Sequence, residues 1–193
     1  MGDSETAVSM NIDLAKEVTT GFMSDSELEW LAMQALGHQR IAEIGSWTGR
    51  STLALAMNTK GVVWAVDTWL GAHGDLDDIV AIKGKEWAFN QFRHNLRFCP
   101  NVYVKRMTSL SASVQFEPAS LDFVFIDAAH DYASVANDIK AWSPLLIRGG
   151  LLCGHDYCDS RWPGVRQAVD ELVPERRLMD PNNGERSLWW TNV

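Results

Sequence analysis

Apolar residues along the chain fall into two kinds of segment, short continuous runs and longer stretches with helical spacing. Each run has the length of a strand, and the nearly unbroken apolar character of "GVVWAVD" is typical of a strand buried on both faces. Five such runs follow one another along the chain: "IAEI", "GVVWAVD", "NVYVKRM", "LDFVFID" and "LLCGHD". The segments beside them predict helices at 24–36, at the alanine- and leucine-rich end of 41–56, and at 86–98, 132–146 and 163–173.

Residue types that commonly begin or end helices support these boundaries. Ser24 and Ser26 are candidate caps of the first helix, with Glu29 three residues after Ser26, and Gly37 ends that helix. Pro100 follows the helix at 86–98, because proline cannot continue a helix. The glycine-punctuated acidic stretch from 70 to 85 has little periodicity and is predicted to be a surface loop.

The last part of the chain predicts one more helix and a hairpin. Pro163 opens the helix, and the pair Gly149-Gly150 predicts a turn before the fifth strand. The runs "RRLMD" and "SLWWTNV" flank the turn-forming stretch "PNNGER", which is a hairpin pattern. Strands that alternate with helices in this way predict an α/β fold with a mostly parallel sheet that is covered by helices on both faces.

Composition narrows the class of protein. The 193 residues suit one domain with its own core, and a hydrophobic content of 46% with 22% charged residues is ordinary for a soluble globular protein. We expect no membrane partner, and a polar, acidic start without an apolar targeting segment favours the cytoplasm. A formal net charge of −8 with dispersed basic residues argues against nucleic acid as a partner. Three cysteines are too few for a disulfide framework.

Chemically informative residues follow four of the predicted strands. Gly45 follows the first strand, Asp67 ends the second, Asp127 ends the fourth, and His155-Asp156 ends the fifth. In open α/β sheets ligands bind outside the carboxyl ends of the strands, so these residues are expected to share one site.

The turn after the first strand has the pattern Glu43-x-Gly45-x-x-x-Gly49-x-Ser51. Glycine permits backbone conformations that other residues avoid and allows close approach of a ligand, so the turn is predicted to cradle a cofactor. A dinucleotide fingerprint would need a middle glycine that is missing here. Asp67 lies 24 residues after Glu43, in position to accept hydrogen bonds from ribose hydroxyls.

The motif "EIGSWTGRS", together with "VDTWLG", "FIDAAHDYASVANDIKAWSPLLIRGGLLCGHDY" and "PGVRQAV", resembles class I S-adenosylmethionine-dependent methyltransferases. The likeness is to the small-molecule O-methyltransferases of the catechol and caffeoyl-CoA type and their bacterial and phage relatives. It implies a doubly wound, Rossmann-like, seven-stranded sheet that is mostly parallel and ends in a C-terminal antiparallel hairpin. We therefore expect a single methyltransferase domain at 1–193, with a helical segment at 1–37 and the Rossmann-like core at 38–193.

The resemblance also implies which residues bind the cofactor. Gly45 to Gly49 would face its methionine part, Asp67 would bind the ribose, and the segment from Met107 to Ser109 would lie by the adenine. The full predicted cofactor set is Glu43, Gly45, Ser46, Trp47, Gly49, Ser51, Asp67, Thr68, Trp69, Thr108, Ser109 and Asp127.

Two residues are candidates for the chemical step. A hydroxyl acceptor is protonated at neutral pH and needs a base within hydrogen-bond reach or a cation that lowers its pKa. His130, three residues after Asp127, has an ordinary pKa of about 6.5 and can take that proton. In the methyltransferases that this sequence resembles, a basic side chain occupies this position. Asp127 would orient the acceptor or hold a metal; the alternative for His130 is a cap of the following helix.

A divalent metal is a further prediction from the resemblance. Metal-dependent members place oxygen ligands at the ends of the fourth and fifth strands, and Asp127 and Asp156 match two of them. The third ligand is left open, because one register places His155 there and the other places Tyr157. Imidazole would favour zinc, iron or manganese over magnesium. The predicted metal set is Asp127, His155 and Asp156, with no metal as the alternative.

Aromatic residues near these turns leave further alternatives. Trp47 and Trp69 could pack on the cofactor or the acceptor, while Trp162, Trp189 and Trp190 could line an acceptor pocket or the face of a homodimer. The predicted function is S-adenosylmethionine-dependent methyl transfer to a hydroxyl of a small molecule. An NAD-dependent oxidoreductase or epimerase and a non-catalytic S-adenosylmethionine-binding protein stay open as alternatives.

Overall fold

A computed structural model describes residues 10–18, 20–71, 82–84, 86–179 and 187–193 of the chain. Most of the predicted loop at 70–85 and the predicted turn at 181–186 lie outside these residues. None of the helices within the described ranges combines the length and the apolar character that crossing a membrane requires.

Seven strands form one sheet in the order β3-β2-β1-β4-β5-β7-β6. Their bounds are β1 Arg40–Ile44, β2 Val62–Asp67, β3 Val102–Arg106, β4 Leu121–Ile126, β5 Leu146–Gly154, β6 Arg177–Leu178 and β7 Trp189–Asn192. The first five strands pair in parallel, while β7 runs antiparallel to both of its neighbours, β5 and β6. The predicted α/β fold, with a mostly parallel sheet and an antiparallel pair at the C-terminus, is confirmed.

Helices cover both faces of this sheet. They are α1 Asp13–Glu17, α2 Asp25–Leu36, α3 Arg50–Ala56, α4 Trp87–Asn95, α5 Ser109–Ser113, α6 Tyr132–Trp142 and α7 Pro163–Leu172. One apolar cluster lies between the sheet and α1 to α4, and a second lies between the sheet and α5 to α7. Two buried layers of this kind are what a strand that is apolar on both faces requires.

Some predicted boundaries were wrong. The strand β5 begins at Leu146, so the pair Gly149-Gly150 lies within the strand and does not precede it. Gly149 has a φ of +80°, and the pairing of β4 with β5 shifts register after Leu121, so the glycines mark an irregularity in the strand. The predicted helix at 132–146 ends at Trp142 and continues as a short 3-10 helix, because Pro144 cannot extend the α-helix.

The cap of α2 also differs from the prediction. Ser24 is the N-cap, and Glu27, not Glu29, completes the capping box. Ser24 accepts a hydrogen bond from the backbone N–H of Glu27, and the Glu27 carboxylate accepts one from the backbone N–H of Ser24 at 2.8 Å. The Glu27 side chain therefore points back toward the start of the helix, where it is buried.

The register of the strands places the predicted site residues at the same edge of the sheet. Ile44 at the end of β1 pairs with Val66 on one side and with Ile126 on the other, and Ile126 pairs with Gly154. The residues that follow these positions, among them Gly45, Asp67 and Asp127, therefore meet at the carboxyl edge of the sheet. The fold thus assembles a site from chain segments that are far apart in sequence.

Candidate active site

The turn between β1 and α3 depends on glycine at two positions. Gly45 and Gly49 have φ values of +94° and +91°, in the left-handed region that favours glycine. A Cβ at Gly45 would lie 1.9 Å from the carbonyl oxygen of Asp127, and one at Gly49 would lie 2.3 Å from a methyl carbon of Leu96. The glycines are therefore required by packing against the protein's own chain as well as by any ligand.

Glu43 supports this turn from below. Its carboxylate accepts hydrogen bonds from the hydroxyls of Ser46 at 2.7 Å and Ser51 at 2.5 Å, and from that of Thr52. The side chain is fully buried and belongs to the lining of neither cavity described below. Burial raises the pKa of Glu43 to about 7, although the three hydroxyls act in the opposite direction. Glu43 thus lies behind the turn and holds its shape, so the predicted direct contact with a cofactor has no geometric support.

Asp67, at the end of β2, holds the same turn from the side. Its two carboxylate oxygens accept backbone N–H groups of Trp47 at 2.8 Å and of Trp69 at 2.7 Å. Burial raises its pKa, and these backbone hydrogen bonds oppose the shift. Asp67 also lines the larger cavity described below, so its carboxylate lies at the surface that a ligand there would contact.

The two tryptophans beside Asp67 have different environments. Trp69 is fully buried between Phe89 and Phe92, with both pairs of ring centroids 4.9 Å apart, and its indole N–H donates to the carbonyl of Trp47 at 2.6 Å. Its side chain is therefore part of the core and lines neither cavity, in contrast to the predicted cofactor contact. Trp47 is half-buried and lines both cavities.

The larger cavity, of about 910 Å³, runs along the carboxyl edge of the sheet. Predicted cofactor residues in its lining are Gly45, Trp47, Asp67, Thr68, Thr108, Ser109 and Asp127. Asp138 of α6 also lines it, and the hydroxyl of Ser109 donates to that carboxylate at 2.5 Å. Burial raises the pKa of Asp138 to about 6. Asp138 is not among the residues predicted from the sequence, because an acid in an amphipathic helix looks like an ordinary surface residue.

A smaller cavity, of about 90 Å³, adjoins the first. It is lined by Gly21, Phe22 and Met23 of the N-terminal segment and by residues of the turn, including Ser46 and Ser51. Five functional candidates line both cavities: Gly45, Trp47, Asp127, His130 and Trp162. The two cavities therefore meet at the ends of β1 and β4.

His130 is held in place by a carboxylate and an aromatic ring. Its Nε2 lies 3.1 Å from Oδ2 of Asp156, and its ring stacks on Trp162 with centroids 4.4 Å and planes 22° apart. Burial alone would lower the pKa of His130, but the hydrogen bond and charge of Asp156, aided by Asp127, raise it above its ordinary value. The cap of α6 is Asp131, whose side chain accepts from the backbone N–H of Ser134, so the alternative of His130 as cap has no support.

His155 lies next to Asp156 and is almost fully buried. Its Nε2 lies 3.0 Å from Oε1 of Glu27, and its Nδ1 lies 3.6 Å from Asp127 and 3.3 Å from Asp156. Burial would lower the pKa of this imidazole, yet the surrounding carboxylates raise it well above the ordinary value, with Asp127 contributing most. His155 thus joins α2 to the ends of β4 and β5. Glu27 is not among the residues predicted from the sequence, because a capping box explains a glutamate at that position.

The predicted metal set stays a prediction, and the structure brings a second histidine to its two carboxylates. Candidate ligand atoms of Asp127, His130 and Asp156 all lie within 4.8 Å of one another. His130, not His155, completes this group. Tyr157, the alternative third ligand, instead donates its hydroxyl to Asp170 at 2.7 Å. Trp189 is buried and packs against Gly154, whereas Trp190 is partly exposed and lies against Trp30 with centroids 5.0 Å apart.

A family model described as "Methyltransferase domain" matches residues 42–157, which include the first turn and the ends of β2, β4 and β5. This match removes the support for the NAD-dependent alternative. Over 139 residues, 69% of its length, the chain is 27% identical to an uncharacterised protein of Acanthamoeba polyphaga mimivirus. Over 132 residues, 66% of its length, it is 29% identical to an uncharacterised protein of Sinorhizobium fredii. The chain spans 58% of the first relative and 14% of the second.

A solved structure shares the fold. An O-methyltransferase from Bacillus cereus, described as being in complex with SAH, superimposes with a TM-score of 0.68. The superposition covers 99% of this chain and 94% of that one at 18% identity. The likeness therefore extends over the whole fold and not only over the first turn.

Proposed function

Because the chain belongs to the methyltransferase domain family, we propose that it transfers a methyl group from S-adenosylmethionine to a hydroxyl group of a small molecule. The observation that carries this proposal is the position of His130, which lines both cavities and is hydrogen-bonded to Asp156. A base at the junction of a cofactor cavity and an acceptor cavity is what methyl transfer to oxygen requires.

The larger cavity fits the cofactor. Asp67 lines this cavity as the proposed partner of the ribose, Gly45 leaves open backbone for the methionine part, and Thr108 and Ser109 lie at the side assigned to the adenine. The Bacillus cereus relative is described as an O-methyltransferase in complex with SAH, which supports both the ligand and the acceptor atom. When bound, S-adenosylmethionine supplies an electrophilic methyl group on a positively charged sulfur.

His130 would act as the general base. A neutral ring that donates its Nε2–H to Asp156 keeps its lone pair on Nδ1, where it can accept the proton of the acceptor hydroxyl. Asp156 then stabilises the imidazolium that forms, and Trp162 limits rotation of the ring by stacking on it. Asp127, which lines both cavities, would orient the acceptor by accepting a hydrogen bond from it.

The residues at the edge of the sheet fit a divalent metal poorly. Oδ2 of Asp156 already lies 3.1 Å from a ring nitrogen of His130 and 3.3 Å from one of His155. The imidazole of His155, whose pKa is raised by the carboxylates around it, places positive charge beside the same oxygens that a metal would need. A histidine that coordinated a metal could not also serve as the base. We therefore assign no step of the reaction to a metal.

We further propose that the acceptor is a small molecule and not nucleic acid. The formal net charge of −8 would repel a polyanion. The cavity that adjoins His130 is small, at about 90 Å³, and it is lined in part by Phe22, Met23 and Trp162. Such a lining suits a compact, partly apolar molecule.

Calorimetry and a transfer assay test this proposal. Purified protein is titrated with S-adenosylmethionine and with S-adenosylhomocysteine, and is then incubated with isotope-labelled S-adenosylmethionine and a small-molecule extract of cells. We expect saturable heat from both compounds and label in a small-molecule product. Absence of heat would overturn the proposal. Heat of binding without transfer of the labelled methyl group to a small molecule of any extract would favour a non-catalytic binding protein.

A further inference from the structure

Arg50 makes an unusual number of hydrogen bonds to one part of the chain. It is the first residue of α3, directly after Gly49 of the cofactor turn. Its Nη1 donates to the carbonyl oxygens of Ala15, Lys16 and Val18 at 3.0, 3.1 and 2.9 Å. Its Nε donates to the carbonyl of Met23 at 3.0 Å, and its Nη2 contacts Asp25 at 3.2 Å.

These bonds place the guanidinium between the end of α1 and the start of α2. The carbonyls at the end of a helix lack partners within it and carry partial negative charge, so a cation there is favourable. Only 12% of the Arg50 side chain is exposed. The planar guanidinium, with its five N–H donors, can serve several acceptors at once, which a lysine ammonium at this position could not do.

The segment that Arg50 holds forms one wall of the smaller cavity. Gly21, Phe22 and Met23 line that cavity opposite the turn. Gly21 packs directly on Arg50, because a Cβ at Gly21 would lie 2.5 Å from Cδ of that arginine. The positions of residues 20–23 therefore follow the position of the Arg50 side chain.

Two more hydrogen bonds join the same segment to the turn. The hydroxyl of Thr20 donates to that of Thr48 at 2.8 Å, and the indole N–H of Trp47 donates to the carbonyl of Thr20 at 3.1 Å. Trp47 and Thr48 belong to the turn that is assigned to the cofactor. The wall at 20–23 is thus linked to Trp47 and Thr48 of the turn and to Arg50, which directly follows the turn.

A separate contact holds the chain just beyond the wall. Glu27 in the first turn of α2 lies 3.0 Å from the buried imidazole of His155. Residues 20–23 therefore lie between an attachment to the cofactor turn through Arg50 and an attachment to the end of β5 through Glu27. The first attachment joins the wall to residues at the turn itself, whereas the second reaches the turn through Asp127, which contacts His155 with its carboxylate and Gly45 with its carbonyl oxygen.

We propose that Arg50 is a positioning residue that couples the wall of the acceptor cavity at 20–23 to the cofactor turn, so that cofactor binding orders this wall. This inference rests on the proposed function, since it takes the turn at 45–49 as the cofactor site. Binding of the cofactor limits the motion of the turn. Because Trp47, Thr48 and Arg50 are hydrogen-bonded to residues of the wall, the wall then moves less as well. The acceptor cavity is then complete only when the cofactor is present.

Hydrogen exchange with S-adenosylhomocysteine as the probe tests the coupling. Backbone exchange is measured by mass spectrometry, with and without the probe, in the wild type and in Arg50→Met and Arg50→Lys. The second variant keeps the charge, and so remains informative if the first folds poorly. Arg40→Met is the matched control, because Arg40 pairs with Asp122 at the far end of β1. Calorimetry with the same probe is run on every variant.

In the wild type and in Arg40→Met we expect the probe to slow exchange at residues 20–23 by about fivefold or more. Both Arg50 variants should keep the heat of binding and the protection of the turn, but lose the protection of residues 20–23. A purely structural arginine would change exchange at 20–23 to the same extent with and without the probe, which would overturn the inference. Protection that persists in both Arg50 variants would overturn it as well. Absence of heat in the wild type would instead contradict the proposed function.

Discussion

The carbonyl oxygen of Asp127 occupies the place that a side chain at Gly45 would need. A Cβ at Gly45 would lie 1.9 Å from that oxygen and 2.5 Å from the carbonyl carbon of the same residue. The ends of β1 and β4 are therefore in direct backbone contact at the point where the two cavities meet. Any residue other than glycine would push the two strand ends apart.

Gly45→Ala should lower the free energy of unfolding by at least about 3 kcal/mol, because it combines backbone strain with a clash against main-chain atoms that cannot move away. It should also abolish calorimetric binding of S-adenosylhomocysteine. Gly149→Ala is the control, since Gly149 has a similar φ of +80° and, apart from Gly149 and its two chain neighbours, no atom of the described residues lies within 4 Å of the place its Cβ would take. Strain alone should cost the control about 1 to 2 kcal/mol. Urea denaturation measures both values, and equal losses would contradict the importance of the contact.

His130→Ala should lower the rate of methyl transfer by about 10² to 10⁴, because the acceptor would lose its base. The dissociation constant of S-adenosylhomocysteine should stay nearly unchanged. The rate is measured with labelled cofactor and the small-molecule fraction that accepts the methyl group. His94→Ala, at an exposed position on α4, serves as the control. Parallel losses of rate and cofactor affinity in His130→Ala would argue against the role of base.

Glu27→Gln should lower the free energy of unfolding by about 2 to 3 kcal/mol at pH 7, because it removes one carboxylate from a buried imidazole. The Glu27 side chain is 6% exposed and that of His155 is 1% exposed, so water cannot replace the lost partner. Glu29→Gln, which removes a surface ion pair with Lys16 at 3.8 Å, should cost less than about 0.5 kcal/mol. Urea denaturation of both variants checks the difference. A similarly small loss of unfolding free energy in both variants would mean that the buried pair contributes little to stability.

Glu43 should make the stability of the protein depend on pH. Its pKa in the folded state is raised from 4.5 to about 7, so between these values the folded protein holds a proton that the unfolded chain has released. Stability therefore falls as pH rises through this window. Glu43→Gln, which is neutral at every pH, should gain about 2 to 3 kcal/mol relative to the wild type between pH 5 and pH 8.

Urea denaturation of wild type and Glu43→Gln at both pH values measures this gain. Glu117→Gln, at an exposed position, is the control for the exchange of a glutamate for a glutamine. A constant difference between Glu43→Gln and the wild type would show that the buried carboxyl does not titrate in this range.

The sequence predicted the order of elements because the pattern of buried positions repeats at different periods in strands and helices. The runs before Gly45, Asp67, Asp127 and His155 are strands as expected, and their common direction placed these residues at one edge of the sheet. The glycine turn could likewise be predicted, since only a few residue types tolerate its backbone conformation. These features depend on local patterns, which a single sequence contains.

The partners of the polar residues could not be predicted in the same way. Glu27 and His155 are 128 positions apart, and nothing in their local patterns indicates that they form a buried pair. The same holds for Arg50, which looks like an ordinary helix residue until α1 and α2 fold over it. The sequence by itself determined the sheet, its functional edge and the glycine turn, because strand and turn propensities are local. Only the tertiary structure decided which carboxylates share which imidazole and what covers the acceptor cavity, because those contacts depend on long-range packing.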